Sequence, residues 1–225
     1  MHYYTEFTLP PLLSGPDALN FFLAEKDAGV KTFSNRKYNY VTTEFHDKLN
    51  PEIVKIFNDR GIMPEVLEIL GHVPTTQDFP CDRHLVHVDL TYSKSKGFVT
   101  LPMALTWELT DTKTTLYWWD PKHNPVIEKP VNPALLQHDW YRFGRARVFS
   151  DSDQRSALTP DQVGFELLQT YKPSKGRAFI LNTAIPHSAT YEPGHERRVY
   201  FSLRFPVQQI ASYEAALELF KEFVV

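Results

Sequence analysis

Apolar and polar residues alternate along several stretches of the chain, which predicts a protein built mainly from β-strands. From Val99 to Leu109 the odd-numbered residues are all apolar, and from Val199 to Phe205 the odd-numbered residues are apolar again. Successive side chains of a strand point to opposite faces, so each stretch predicts a strand with one apolar face. Shorter apolar runs predict further strands at 37–43, 84–90, 114–119 and 177–182, and one that begins at Pro186-His187. A turn at 110–113 would join 99–109 and 114–119 as a hairpin.

Apolar residues three or four positions apart predict helices at 17–24, 50–61, 64–70, 159–171 and 211–223. Asn50-Pro51 and Thr159-Pro160 are typical helix starts, because each offers a capping side chain followed by a proline at the first helical position. The last helix carries its apolar stripe on Leu217, Phe220 and Phe223. The helices at 50–61 and 64–70 are expected to cover one face of a sheet.

The chain has 225 residues, of which 42% are hydrophobic and 14% aromatic, an ordinary composition for one globular domain rich in strands. We find no internal repeat or linker. We therefore expect a single domain over 1–225: a helical N-terminal part at about 1–80, a barrel core at about 81–206 and a C-terminal helix at about 210–223.

The net charge of −3 makes nucleic acid an unlikely partner. The stretch 138–147 interleaves aromatic residues with three arginines, and it suits a lid or substrate-facing loop, or an ordinary strand with solvated arginines, better than a nucleic-acid surface. The one cysteine, Cys81, cannot form an internal disulfide, which favours a reducing compartment. The N-terminus does not resemble a signal peptide, and no apolar run is long enough for a membrane span, so we expect a cytoplasmic protein.

Three residues form a candidate metal site. His87 and Asp89 lie two positions apart in a predicted strand and should therefore share a face, and His187 lies at the junction of two later strands. Two imidazoles and one carboxylate are the ligand set of non-haem Fe(II) sites that leave coordination positions open. Zinc, with hydrolytic chemistry, remains a chemical alternative. A metal-free alternative is a buried hydrogen-bonded pair of His87 and Asp89 with His187 capping a loop.

An arginine that follows the distal histidine favours iron over zinc. A diacid cosubstrate with one end on the iron needs a partner for its far carboxylate, whereas a zinc hydrolase has no such requirement. The arginine would lie on the neighbouring strand, where a guanidinium can hold a carboxylate through two parallel hydrogen bonds. Both Arg197 and Arg198 have a suitable spacing from His187. We prefer Arg198, because it shares a strand face with Ser202, whereas Arg197 shares the apolar face.

The pattern His87-x-Asp89, His187, Arg198 and Ser202 resembles the Fe(II)/2-oxoglutarate-dependent oxygenases, over residues 80–206. The resemblance implies a mainly β fold with flanking helices around a double-stranded β-helix (jelly-roll, cupin-like) core. It implies Fe(II), 2-oxoglutarate and O2 as cofactor and cosubstrates, and hydroxylation of an unactivated C–H bond with release of succinate and CO2. It makes His87, Asp89 and His187 the metal ligands and catalytic residues. Arg198 would bind the distal carboxylate of 2-oxoglutarate, and Ser202 would assist it by a hydrogen bond.

Two other functions are compatible with such a core: a cupin-type metal enzyme that does not use 2-oxoglutarate, and a non-catalytic jelly-roll binding module. The expected substrate is a small molecule or an amino-acid side chain. The sequence does not specify which substrate is used or the oligomeric state.

Overall fold

A computed structural model of the chain describes residues 2–15, 36–40, 48–64, 66–72, 86–93, 97–109, 114–121, 143–149, 165–191 and 198–225. Most of these residues lie in β-strands, with two α-helices and a short 3-10 helix. The strands are β1 Tyr4–Phe7, β2 Arg36–Tyr40, β3 Val66–His72, β4 Val86–Ser93, β5 Gly97–Thr100, β6 Ala104–Glu108, β7 Thr114–Pro121, β8 Phe143–Phe149, β9 Phe165–Tyr171, β10 Ala178–Leu181, β11 His187–Tyr191 and β12 Arg198–Arg204. The helices are α1 Pro51–Asp59, α2 Tyr213–Phe220 and the 3-10 helix Lys221–Phe223.

The strands form two antiparallel sheets. The first sheet has the order β1-β10-β6-β12-β3-β2, and the second has the order β5-β4-β11-β7-β9, with β8 paired to β4. Strands that follow one another in sequence repeatedly fall in different sheets, as β10, β11 and β12 do. This mainly β architecture with flanking helices confirms the predicted jelly-roll class.

Apolar side chains fill three regions around the two sheets. The largest cluster packs the outer face of the first sheet against α1 and α2, and it includes Phe57, Trp107, Phe201 and Phe220. A second cluster lies between the sheets and consists of Leu116, Trp118, Tyr171 and Phe179. A third joins β4, β7 and β9 through Val86, Val88, Trp119 and Phe165. Because β4 alternates, His87 and Asp89 belong to the face opposite Val86 and Val88.

The one predicted helix cap that falls within the described residues forms. The Asn50 side chain accepts a hydrogen bond from the backbone N–H of Glu52, Pro51 begins α1, and Ile53 and Phe57 are fully buried. Ser212 caps α2 in the same way. The apolar stripe predicted for the last helix also forms: Phe220 is buried, and Leu217 and Phe223 pack against the same cluster.

Two predicted helices are wrong where the structure describes them. The stretch 64–70 is largely β3, which pairs with β12 over seven residues and with β2 on its other edge. The predicted helix 159–171 is strand β9 from Phe165 onward, paired with β7. Its start at 159–164 lies outside the described residues. In both cases backbone pairing to a neighbouring strand prevails over a short apolar pattern that suits either structure.

The predicted hairpin of 99–109 with 114–119 is also wrong. The first stretch is two strands, β5 and β6, separated at Leu101–Met103, and Pro102 in that break has no N–H to donate. β5 belongs to the second sheet and β6 to the first, while β7 pairs with β11 and β9. Every residue of β6 is buried, because one face meets the helices and the other meets the second sheet.

The region predicted as a mainly helical N-terminal part contains, within the described residues, three strands and one helix. β1 and β3 are integral strands of the first sheet. The predicted helix at 17–24 and Cys81 lie outside the described residues. Among the helices that the structure describes, none has the length and apolar character needed to cross a lipid bilayer.

Candidate metal centre

His87, Asp89 and His187 come together in the space between the sheets, and each can offer one ligand atom within 4.8 Å of the others. All three are at most 9% exposed. His87 and His187 are direct partners in the pairing of β4 with β11, and their rings lie 4.4 Å apart. His87 Nε2 and Asp89 Oδ1 are 3.7 Å apart, farther than a hydrogen bond. The metal-free alternative of a hydrogen-bonded His87–Asp89 pair is therefore not supported by this geometry.

The separation of these atoms suits one ion held between them. Two adjacent ligand atoms that each lie about 2.1 Å from a transition metal are about 3 Å apart. The distance of 3.7 Å between His87 Nε2 and Asp89 Oδ1 is somewhat wider than this, and all three ligand atoms lie within 4.8 Å of one another. The donor set of two nitrogens and a carboxylate oxygen suits Fe(II) or zinc.

Backbone hydrogen bonds fix the strand that carries Asp89. The Asp89 N–H donates to the Thr183 carbonyl at 3.0 Å, and the Leu101 N–H donates to the Asp89 carbonyl at 2.8 Å. The Thr183 hydroxyl then donates to the Leu101 carbonyl at 2.8 Å. The turn before β11 and the segment between β5 and β6 thus both form hydrogen bonds to the same edge of β4. These two non-strand segments therefore help to fix the position of Asp89.

His187 is oriented by the turn that precedes it. Its Nδ1 lies 2.9 Å from the Ile185 carbonyl, so the ring donates from Nδ1 and keeps the Nε2 lone pair for a ligand. The Trp118 indole stabilises this turn by donating a hydrogen bond to the Asn182 carbonyl at 3.1 Å. Burial lowers the pKa of His187 to about 4, the Ile185 carbonyl opposes this shift, and the Arg204 charge adds to it. The imidazole is therefore neutral near pH 7, as metal binding requires.

A buried arginine completes the centre. Arg204 Nη2 donates to Asp89 Oδ2 at 2.7 Å, and this ion pair links the first sheet to the second. Arg204 Nη1 donates to the Ser202 hydroxyl at 2.9 Å. Ser202 and Thr106 are direct partners across β12 and β6, and their hydroxyls share a hydrogen bond of 3.2 Å. All four residues are less than 9% exposed.

The structure brings together four of the five predicted site residues, namely the three ligands and Ser202. Arg198 begins β12, opposite His72 of β3, but the position of its side chain and the whole of Arg197 lie outside the described residues. The choice between these two arginines therefore stays a prediction. The alternation over 198–205 is confirmed where it can be followed: Phe201 and Leu203 enter the outer core, whereas Ser202 and Arg204 reach the metal centre.

Sequence reasoning assigned no role to Arg204 or Thr106. The sequence signal for Arg204 and Thr106 was the same alternation that singled out Ser202. Each of the three residues occupies an even position of a strand whose odd positions are apolar. Their contacts could be recognised only once β6 was known to pair with β12.

Strand β8 pairs with β4 in the second sheet. Arg145 is the direct partner of Asp89, and Arg147 is the direct partner of His87. The predicted stretch 138–147 therefore ends in strand β8, while its first residues, 138–142, lie outside the described residues.

Comparison with known proteins gives distant matches of fold only. The chain matches no family model, and no curated protein matches it in sequence. Among solved structures, HygX from Streptomyces hygroscopicus with nickel and 2-oxoglutarate bound has a TM-score of 0.40 at 13% identity, covering 89% of this chain and 82% of HygX. The iron-bound HygX structure has a TM-score of 0.40 at 9% identity, covering 90% of this chain and 81% of HygX. The epimerase SnoN in complex with Fe3+, alpha-ketoglutarate and nogalamycin RO has a TM-score of 0.40 at 14% identity, covering 90% of this chain and 78% of SnoN.

At TM-scores of 0.40, these likenesses carry no argument about the function of this chain. The case for a metal centre in this chain depends on its own His87, Asp89 and His187.

Proposed function

We propose that the protein is an Fe(II)/2-oxoglutarate-dependent oxygenase that hydroxylates an unactivated C–H bond of a small molecule or an amino-acid side chain. The observation that carries the proposal is the buried cluster of His87, Asp89 and His187 between the two sheets. In the overall reaction, one oxygen atom of O2 enters the product and the other enters succinate, with CO2 released from 2-oxoglutarate. Bound Fe(II) would supply the activation of O2.

The residues of the chain have separate tasks in this proposal. His87, Asp89 and His187 hold the ion on one side and leave three positions of an octahedral site for the cosubstrates. The surrounding burial keeps bulk water away from the reacting atoms. Arg198, the first residue of β12, binds the far carboxylate of 2-oxoglutarate through paired hydrogen bonds. Ser202 assists it in the sequence-based prediction.

The direct test is the visible charge-transfer band that forms when Fe(II) and 2-oxoglutarate bind together without oxygen. We expect the band in the wild-type protein, its loss in His87→Ala, and its appearance only at much higher 2-oxoglutarate in Arg198→Ala. Two controls are available, because His2 and Arg177 are both exposed. His2→Ala and Arg177→Ala should give the wild-type band.

The other outcomes separate the alternatives. Iron that binds tightly without a 2-oxoglutarate band would indicate a cupin-type enzyme with another cosubstrate. Failure to bind iron would refute the oxygenase proposal and leave a jelly-roll binding module.

A further inference from the structure

Arg204 is the residue of the centre to which the oxygenase prediction gives no task. It is 7% exposed and lies on the first sheet, yet its Nη2 reaches across to the Asp89 carboxylate at 2.7 Å. Only one carboxylate oxygen, Oδ2, makes this contact, whereas the other oxygen, Oδ1, lies on the His87 side at 3.7 Å from Nε2. The two oxygens of Asp89 therefore face different partners.

We propose that Arg204 is a positioning residue that restricts Asp89 to one-oxygen coordination of the metal ion. With Oδ2 held by the guanidinium, Oδ1 is the oxygen presented on the side of the two imidazoles. The inference rests on the proposed function in one respect, namely that His87, Asp89 and His187 hold the ion.

The consequence for the site follows from counting coordination positions. Two imidazoles and one carboxylate oxygen occupy three of six positions and leave three. A carboxylate that coordinated through both oxygens would leave only two, which 2-oxoglutarate alone would fill by chelation. Holding Oδ2 away from the ion thus keeps a position for O2.

The hydroxyls behind Arg204 fix the guanidinium itself. Ser202 accepts from Nη1 at 2.9 Å and shares a hydrogen bond with Thr106, its direct partner on β6. The planar guanidinium thus spans two fixed acceptors, the Ser202 hydroxyl and the Asp89 carboxylate. A lysine at 204 would keep the positive charge but has a single nitrogen, so it cannot span both. In this view Ser202 acts on the metal through Arg204.

Two variants test the inference without changing the charge of the site: Arg204→Lys and Ser202→Ala. The probe is Co(II) alone, titrated into the metal-free protein and followed by its visible absorption. Because outer contacts of a metal ligand typically contribute 10–100-fold to metal affinity, we expect Arg204→Lys to bind Co(II) about tenfold more weakly. Ser202→Ala should weaken binding by a smaller factor.

Ser188→Ala is the matched control. Ser188 is 1% exposed and Ser202 is 2% exposed, and the Ser188 hydroxyl also has a buried partner, since it accepts from the Trp119 indole at 2.8 Å. This variant should bind Co(II) as the wild type does. Thermal unfolding of each metal-free variant shows whether a weakened site reflects loss of the fold, and Ser202→Ala is the milder change should Arg204→Lys be unstable.

Unchanged Co(II) affinity in both variants would overturn the inference. Unchanged Co(II) affinity with weakened 2-oxoglutarate binding in Arg204→Lys would also overturn it, because Arg204 would then bind the cosubstrate. These results are distinct from failure of the proposed function, which would appear in the wild type as a lack of metal binding or of the 2-oxoglutarate band.

Discussion

Replacing Asp89 by asparagine should destabilise the metal-free protein, because the substitution removes the carboxylate charge that faces Arg204. The two side chains are 5% and 9% exposed and 2.7 Å apart. At an effective dielectric constant of about 20, unit charges about 4 Å apart attract by about 4 kcal/mol. Measurements on other buried pairs give a loss of about 3–5 kcal/mol when one partner is removed. We therefore expect Asp89→Asn to lower the free energy of unfolding by about 3 kcal/mol.

The assay is urea or thermal unfolding in the presence of a chelator, so that loss of a metal ligand does not contribute. For a chain of this length, about 3 kcal/mol corresponds to a decrease in Tm of roughly 6–12 °C. An exposed ion pair provides the matched control: Lys55 and Asp59 lie 2.5 Å apart on α1, but their side chains are 75% and 54% exposed. Asp59→Asn should therefore cost no more than about 0.5 kcal/mol.

An Asp89→Asn variant as stable as the wild type, or more stable, would refute this reasoning. It would mean that the free-energy cost of burying the Asp89 carboxylate exceeds the stabilisation that Arg204 provides.

Three further predictions concern pH, metal loading and a turn. The pKa of His187 is about 4 in the folded protein, against 6.5 for an unperturbed histidine. As the pH falls, the unfolded chain therefore takes up a proton at this histidine before the folded protein does. The metal-free protein should lose about 3 kcal/mol of stability between pH 6.5 and 4. Urea unfolding of His187→Gln should show a flatter pH profile, and a wild-type slope would contradict the assignment. Co(II) at about 100 times its Kd should stabilise the wild type by about 2.7 kcal/mol, seen as a higher Tm that chelation reverses; the same rise in His87→Ala would place the ion elsewhere. Gly61→Ala should cost about 1 kcal/mol of stability, because Gly61 lies in the turn after α1 at a φ of +62°. Gly15 has open space around it and no positive φ, so it should tolerate alanine. Equal costs of the two substitutions in thermal unfolding would contradict this explanation.

Local patterns in the sequence predicted the β class and the start of α1, and they placed His87 and Asp89 side by side as candidate metal ligands. A period of two is a local property, so the shared face of His87 and Asp89 and the two faces of β12 follow without knowledge of the fold. A helix cap is equally local, and the signal at Asn50 correctly marked the start of α1.

Which strands are neighbours became clear from the tertiary structure and not from the sequence. The stretches that became β3 and β9 have apolar spacings that suit a helix or a strand, and pairing with β12 and β7 settled them. Likewise, residues 99–109 read as one strand in sequence but divide between two sheets, because each half pairs with a different neighbour.

The task of Arg204 needed the tertiary structure for the same reason. Asp89 and Arg204 are 115 positions apart, and only the packing of one sheet on the other brings their charges to 2.7 Å. Local sequence patterns specify which face a side chain occupies. The partner across the space between two sheets is set by long-range strand pairing, and burial then strengthens the attraction between the two charges.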